Sequence, residues 1–152
     1  MKTTIKLLAL VTLLVGCTTT KPIPYVRTGL VKSVDQDRQT ITLTSEARAE
    51  NAGKASYFAE INAFENLLFK GIPNSNQEKP LVSNESKSVS KHQAFYQDLL
   101  DKRGYERYVM SSLLNQKYES GGVHTVVQEI QIDLHSLRKV LEQNNIIKSF
   151  GL

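Results

Sequence analysis

One cysteine, no tryptophan and three histidines among 152 residues leave little material for the chemistry most readily read from a sequence. A lone Cys17 excludes an intramolecular disulfide and any multi-cysteine metal cluster. His92, His124 and His135 show neither a His-Glu-x-x-His pattern nor clustered ligand spacing, so no metal site is expected. The serines offer no nucleophile elbow, since Ser111-Ser112 and Ser120-Gly121-Gly122 lack the Gly-x-Ser-x-Gly turn that exposes a hydrolase serine. No glycine-rich phosphate loop occurs, and Asp98, Asp101, Lys102 and Arg103 read as surface charges. No catalytic set emerges and no cofactor is called for. A spanning helix needs roughly 20 consecutive apolar residues, and the main apolar stretch, residues 7–16, has ten.

That stretch follows a basic start, Lys2 and Lys6, and ends in a small residue, as a secretory signal does. It closes on Leu14-Val15-Gly16-Cys17, which resembles the lipobox of bacterial lipoprotein precursors: an aliphatic residue, a variable one, a small one and cysteine. The resemblance implies a diacylglycerol on the Cys17 sulfur, cleavage between Gly16 and Cys17, and an acyl chain on the new amino group. One such chain binds a membrane marginally, whereas two or three retain a protein firmly, at about 0.8 kcal/mol per buried methylene. Thr18 stands where an aspartate would resemble an inner-membrane retention signal. The expectation is an outer-membrane anchor facing the periplasm.

Removing residues 1–16 leaves 136, enough for one domain. It also removes Lys2 and Lys6, taking the 19 basic residues to 17 against 15 acidic ones, a net charge of +2. No cluster of Lys and Arg with interleaved aromatics appears, so nucleic acid is not an expected partner. Residues 17–24 read as a short lipidated tether, polar with two prolines, and residues 25–152 as one α+β domain.

Within that domain, Val26, Leu30 and Val34, then Ile41 and Leu43 among threonines, predict two strands joined by a turn over Asp35-Gln36-Asp37-Arg38. Residues 47–69 predict a helix with two buried sides. Tyr57, Ile61, Phe64 and Leu68 form one stripe; Ala52, Ala55, Ala59 and Ala63 form the other and permit close approach. Gly71-Ile72-Pro73 ends it. A long loop at 71–87, including Pro80 and Leu81, is a candidate partner contact. A second helix is expected over 89–102, with Val89, His92, Phe95, Tyr96 and Leu99 near one face and Gly104 as its stop. Strands at 105–118 and 123–134 flank Gly121-Gly122, with Ile130, Ile132 and Leu134 inward and Glu129, Gln131 and Asp133 outward. A last helix carries Leu137, Val140 and Leu141, capped by Asp133 or Ser136 and ended by Asn144-Asn145. An apolar tail of Ile146, Ile147 and Phe150 then docks on the domain.

The order β-β-α-α-β-β-α predicts an antiparallel sheet of about four strands covered by helices on one face. The alanine-rich helix and the hairpin ending Ile130-Gln131-Ile132-Asp133-Leu134 resemble the Lpp-twenty envelope lipoprotein family and the amino-terminal domain of flagellar assembly protein T. That resemblance implies a non-enzymatic envelope or assembly component. Two functional expectations follow. In the first, a scaffold lipoprotein binds another envelope protein through the 71–87 loop or an exposed sheet edge. In the second, Tyr105, Tyr108 and Tyr118 on one strand offer rings to a soluble ligand or glycan, such as peptidoglycan. A deep apolar pocket lined by Phe64 and Tyr57 favours the second; a wet sheet face with an unpaired edge favours the first.

Overall fold

The computed structural model describes residues 21–148. Gly16, Cys17 and Phe150 lie outside them. The fold is α+β: four antiparallel strands, β1 (Val31–Gln36), β2 (Thr40–Ala49), β3 (Val109–Ser120) and β4 (Val123–Asp133), in the order β1-β2-β4-β3. Helices cover one face. They are α1 (Ala52–Phe69), α2 (Glu85–Lys91), α3 (Gln93–Tyr96) continued by a π-helical turn (Gln97–Asp101), a 3₁₀ turn (Gly104–Tyr108), and α4 (Leu134–Gln143).

The central pair, β2 and β4, is where alternation in the sequence is cleanest, and its register runs from Thr40↔Asp133 to Ala49↔His124 without a slip. Ile41, Leu43, Ile130 and Ile132 project inward and are fully buried, while Thr42, Thr44, Glu129 and Gln131 line the outer face. Opposite them α1 buries both predicted stripes except Tyr57 and Ala52, which are half-buried. Phe64, Leu67 and Leu68 fill the main core with Leu137 and Leu141. Ala55 and Ala59 meet Ala47, Ala49 and Val126, where small side chains allow the helix close to the sheet.

Several boundaries differ from the sequence reading. The helix expected from residue 47 begins at Ala52, because Ala47, Arg48 and Ala49 pair with Val126, Thr125 and His124; ladder bonds and burial outweigh alanine's high helix propensity. Asn51 then caps α1, its Oδ1 accepting from the Lys54 N–H at 2.8 Å. The first strand begins at Val31, not near Val26, and the phase of its apolar residues is reversed: Val31 is buried, whereas Val26, Leu30 and Val34 are 66%, 50% and 54% exposed. Polar groups set that phase. Tyr25, Arg27 and Thr28 bond to α1 and turn their neighbours outward. The hairpin turn occupies 37–39 rather than 35–38, because Asp35 and Gln36 still pair with β2 and the Asp37 Oδ1 accepts from the Gln39 and Thr40 N–H groups.

The 71–87 stretch is no free loop. The last carbonyls of a helix need partners, and here Leu81 and Val82 supply them, donating to the Leu67 and Leu68 carbonyls at 3.2 and 2.8 Å. Ile72, Gln77 and Val82 are buried beneath this strap, and Pro80 and Leu81 are half-buried. The second helical segment starts at Glu85 rather than 89, since Asn84 caps it through the Lys87 N–H, and it breaks at His92 (φ −121°, ψ 38°). Arg103, in the left-handed region at φ 60°, redirects the chain before Gly104 does. Gly121-Gly122 turns the second hairpin at φ 58° and 77°, and Asp133 caps α4 by accepting from the Ser136 N–H at 2.8 Å. Ile146 and Ile147 pack against the core as expected of the tail.

Gly71 is the tightest point of the strap. At φ 82° its N–H donates to the Asn66 carbonyl, and a Cβ there would stand 1.9 Å from the Glu78 carbonyl oxygen. Gly71→Ala is expected to lower unfolding free energy by roughly 3 kcal/mol through strain and displacement of the strap. Urea titration followed by circular dichroism measures it; a loss below about 0.5 kcal/mol would mean that the strap yields freely.

Candidate functional site

β3 is the part of the fold that packs least. Its 12 residues reach about 40 Å at 3.3 Å per residue. Every residue from Met110 to Ser120 is exposed, including Met110 (58%), Leu113 (58%), Leu114 (56%) and Tyr118 (49%). Strand pairing alternates side chains between faces. Leu113 and Tyr118, opposite Glu129 and Thr125, lie on the open face; Leu114, opposite Gln128, lies on the helix-bearing face. β4 satisfies one edge of β3, and the other carries no strand among the described residues. Bulges between Val109 and Ser111 and between Leu114 and Gln116 twist it locally.

The tyrosines separate. Tyr105 and Tyr108 belong to the 3₁₀ turn, not to a strand, and both are buried; only Tyr118 presents a ring to solvent. Burial and the carboxylate of Glu60 push the Tyr105 phenol above its ordinary pKa. A shared tyrosine platform is therefore not built. Among the described residues Phe64 is packed into the core rather than lining an open pocket: it is fully buried, with the Tyr105 ring centre 4.9 Å from its own. Tyr57 is half-buried beneath the Arg103 guanidinium, 5.1 Å from its ring centre.

β4 holds β3 along one edge, and Glu60, a carboxylate from the inward side of α1, ties down its base. It accepts from the Tyr105 hydroxyl at 3.1 Å, the Ser112 hydroxyl at 3.1 Å and the Gln128 amide at 3.2 Å, and Arg103 approaches to 3.6 Å. Gln128 also donates to the Ser112 oxygen. Turning its amide over would set carbonyl against carboxylate, so the nitrogen faces Glu60. This node joins helix, 3₁₀ turn, β3 and β4. The signal in the sequence was an acid at helical spacing from Tyr57 and Phe64, and it was not singled out there.

A second node fixes the amino-terminal segment. Arg27 donates to Glu65 at 2.8 Å and to both Glu85 oxygens at 2.6 and 2.9 Å, with its guanidinium over Phe69. These bonds to Glu85 hold the Glu85 carboxyl below its usual range and raise the Arg27 guanidinium. The Tyr25 hydroxyl donates to Glu65 at 2.6 Å, and burial pushes its pKa up. The Ile23 N–H reaches Glu50 at 3.1 Å; Glu50, also bonded to Lys54, is held at about 2. The chain is thus pinned from residue 23 onward.

His92, His124 and His135 lie on separate elements, and no group of three or more His, Cys, Asp or Glu side chains gathers among the described residues. No helix among them is long and apolar enough to cross a membrane. Comparison with protein-family models, with curated proteins and with solved structures finds no match for this chain.

Glu60→Ala leaves the Tyr105 and Ser112 hydroxyls without their acceptor and is expected to cost roughly 3 kcal/mol. Amide exchange over 109–120 should rise with it while α4 stays protected. Unchanged exchange in the hairpin would show that β3 is held by β4 alone.

Proposed function

We propose that this chain is a lipoprotein of the bacterial envelope, anchored through Cys17 and facing the periplasm from the outer membrane, that acts as a non-enzymatic scaffold. Its partner is an extended segment of another envelope protein, added to the sheet along the outer edge of β3. The exposure of β3 carries this reading: a long edge with unpaired backbone donors and acceptors, flanked by Leu113, Leu114 and Tyr118, is what strand addition requires. The 71–87 loop, by contrast, spends its backbone on the end of α1.

A second copy of the chain fits the edge less well. Antiparallel self-pairing centred between Leu113 and Leu114 would set Lys117 opposite Met110 of the other copy, a charge against an apolar side chain. A partner strand with apolar residues on both faces and an acid near Lys117 suits it better. The short tether supports the anchored arrangement, since only five residues separate Cys17 from the pinned Ile23, a reach of at most about 20 Å. The glycan platform has less support, with two of its three rings internal.

Photoreactive residues placed at Leu113 and at Tyr118 in cells should each give an adduct with one envelope protein, mapping to an extended segment of it, while the same probe at exposed Lys139 of α4 should not. Cys17→Ser should release the chain from the membrane without unfolding it and abolish the adduct. Equal labelling from Lys139, or an adduct of twice the chain's own mass, would overturn the assignment of the partner.

A further inference from the structure

At the end of the sheet away from Gly121-Gly122, a cleft of about 390 Å³ opens between the β1–β2 turn, the strap and α4. Arg38 and Thr40 stand on one wall, Asn76 and Gln77 on another, and Arg138 on the third. Arg138 is half-buried. Its Nη2 donates to the side-chain carbonyl of Gln77, a buried residue whose own amide nitrogen donates to the Lys79 carbonyl, so the guanidinium is aimed by a fixed group. The Asn76 N–H donates to the Gln36 side chain at 2.9 Å and ties this wall to β1.

The charge in the cleft is poorly compensated. A guanidinium has five N–H donors, and among the described residues Gln77 is the hydrogen-bond partner of Arg138 and no carboxylate forms an ion pair with it. Burial lowers its pKa from the ordinary arginine value, and Glu142 only partly offsets this from one turn along α4. Asp37, the acid at the rim, commits one oxygen to the Gln39 and Thr40 N–H groups. Taking water from a cation without supplying an anion is unfavourable, and a cleft that does so is ready for one.

We propose that this cleft binds the carboxylate of a small polar molecule, with Arg138 as its forked donor, Arg38 as a second cation, and the Asn76 side chain and Thr40 hydroxyl as neutral partners. Arginine suits a planar two-oxygen group. Two arginines beside Asp37 leave one net positive charge, which matches a monoanionic carboxylate better than a phosphate dianion. Sugar acids and amino-acid derivatives share this chemistry. The cleft lies at the Thr40 end of β2, whereas the pinned amino-terminal segment meets Glu50 beyond the other end. About 30 Å of strand separates them, so access is independent of any anchor.

The test uses the full chain, labelled with nitrogen-15 and purified in detergent micelles, titrated with glucuronate, N-acetylalanine, inorganic phosphate and chloride at equal ionic strength. The Arg138 Nε–H resonance should shift saturably with a carboxylate, and the backbone amides of Thr40 and Asn76, present in every variant, should follow the same curve. Saturation by glucuronate alone assigns a sugar acid, by N-acetylalanine alone an amino-acid derivative, and by both the shared group. Arg138→Lys, which keeps the charge and the fold, should weaken binding about tenfold by losing the fork, and Arg38→Gln about threefold. Equal shifts with chloride, tighter binding of phosphate than of either carboxylate, or full affinity in Arg138→Lys would overturn the proposal.

Discussion

Everything in this fold is arranged around the polar residues that α1 carries into its own buried surface. An apolar helix could settle on a sheet in many ways, but a buried polar group without a partner costs about 1–3 kcal/mol. Asn62 accepts from the Thr28 N–H and donates to the Ser45 and Thr28 hydroxyls; Asn66 donates to the Thr28 and Asn62 carbonyls. Glu65 takes Tyr25 and Arg27, and Glu60 takes Tyr105, Ser112 and Gln128. One helix thereby fixes the amino-terminal segment on one side and the long hairpin on the other.

That constraint bears on function through what it leaves uncovered. Held by Glu60 at its base and by β4 along one edge, β3 extends beyond the helices with apolar side chains on both faces. The other end of the sheet is shaped by the strap, whose buried Gln77 directs Arg138 into the cleft. The proposed partner edge and the proposed carboxylate cleft rest on different residues and do not depend on each other. With the chain pinned at Ile23, an anchor at Cys17 would set the hairpin tip toward the membrane and the cleft away from it.

The sheet, its strand count, the Gly121-Gly122 turn, the helix stop at Gly71 and a cap at Asp133 or Ser136 were legible because each follows from local chemistry: alternation, positive φ at paired glycines, a polar side chain at a helix start. Residues 26–34 were misread because Val26, Leu30 and Val34 share even-numbered positions and suggested one inward face, while the deciding bonds run to Asn62 and Asn66, more than 30 residues away. Tyr105 and Tyr108 were placed on a strand because aromatics favour strands, whereas Arg103 turns the chain into a 3₁₀ segment that buries them. The adjacent Leu113-Leu114 held a missed signal: neighbours on a strand cannot share one face, so an apolar pair marks either two buried faces or an exposed edge. Arg138 carried no pattern at all, since only the fold brings Gln77 and Arg38 beside it.

The most direct test of the strand-addition claim is amide hydrogen exchange over residues 109–120, measured on the purified chain and on the same chain in isolated outer-membrane envelopes. Unpaired β3 amides that exchange quickly in the purified protein should become protected in the envelope, while those already paired with β4 stay unchanged. Identical exchange along β3 in both settings would contradict a partner strand on this edge.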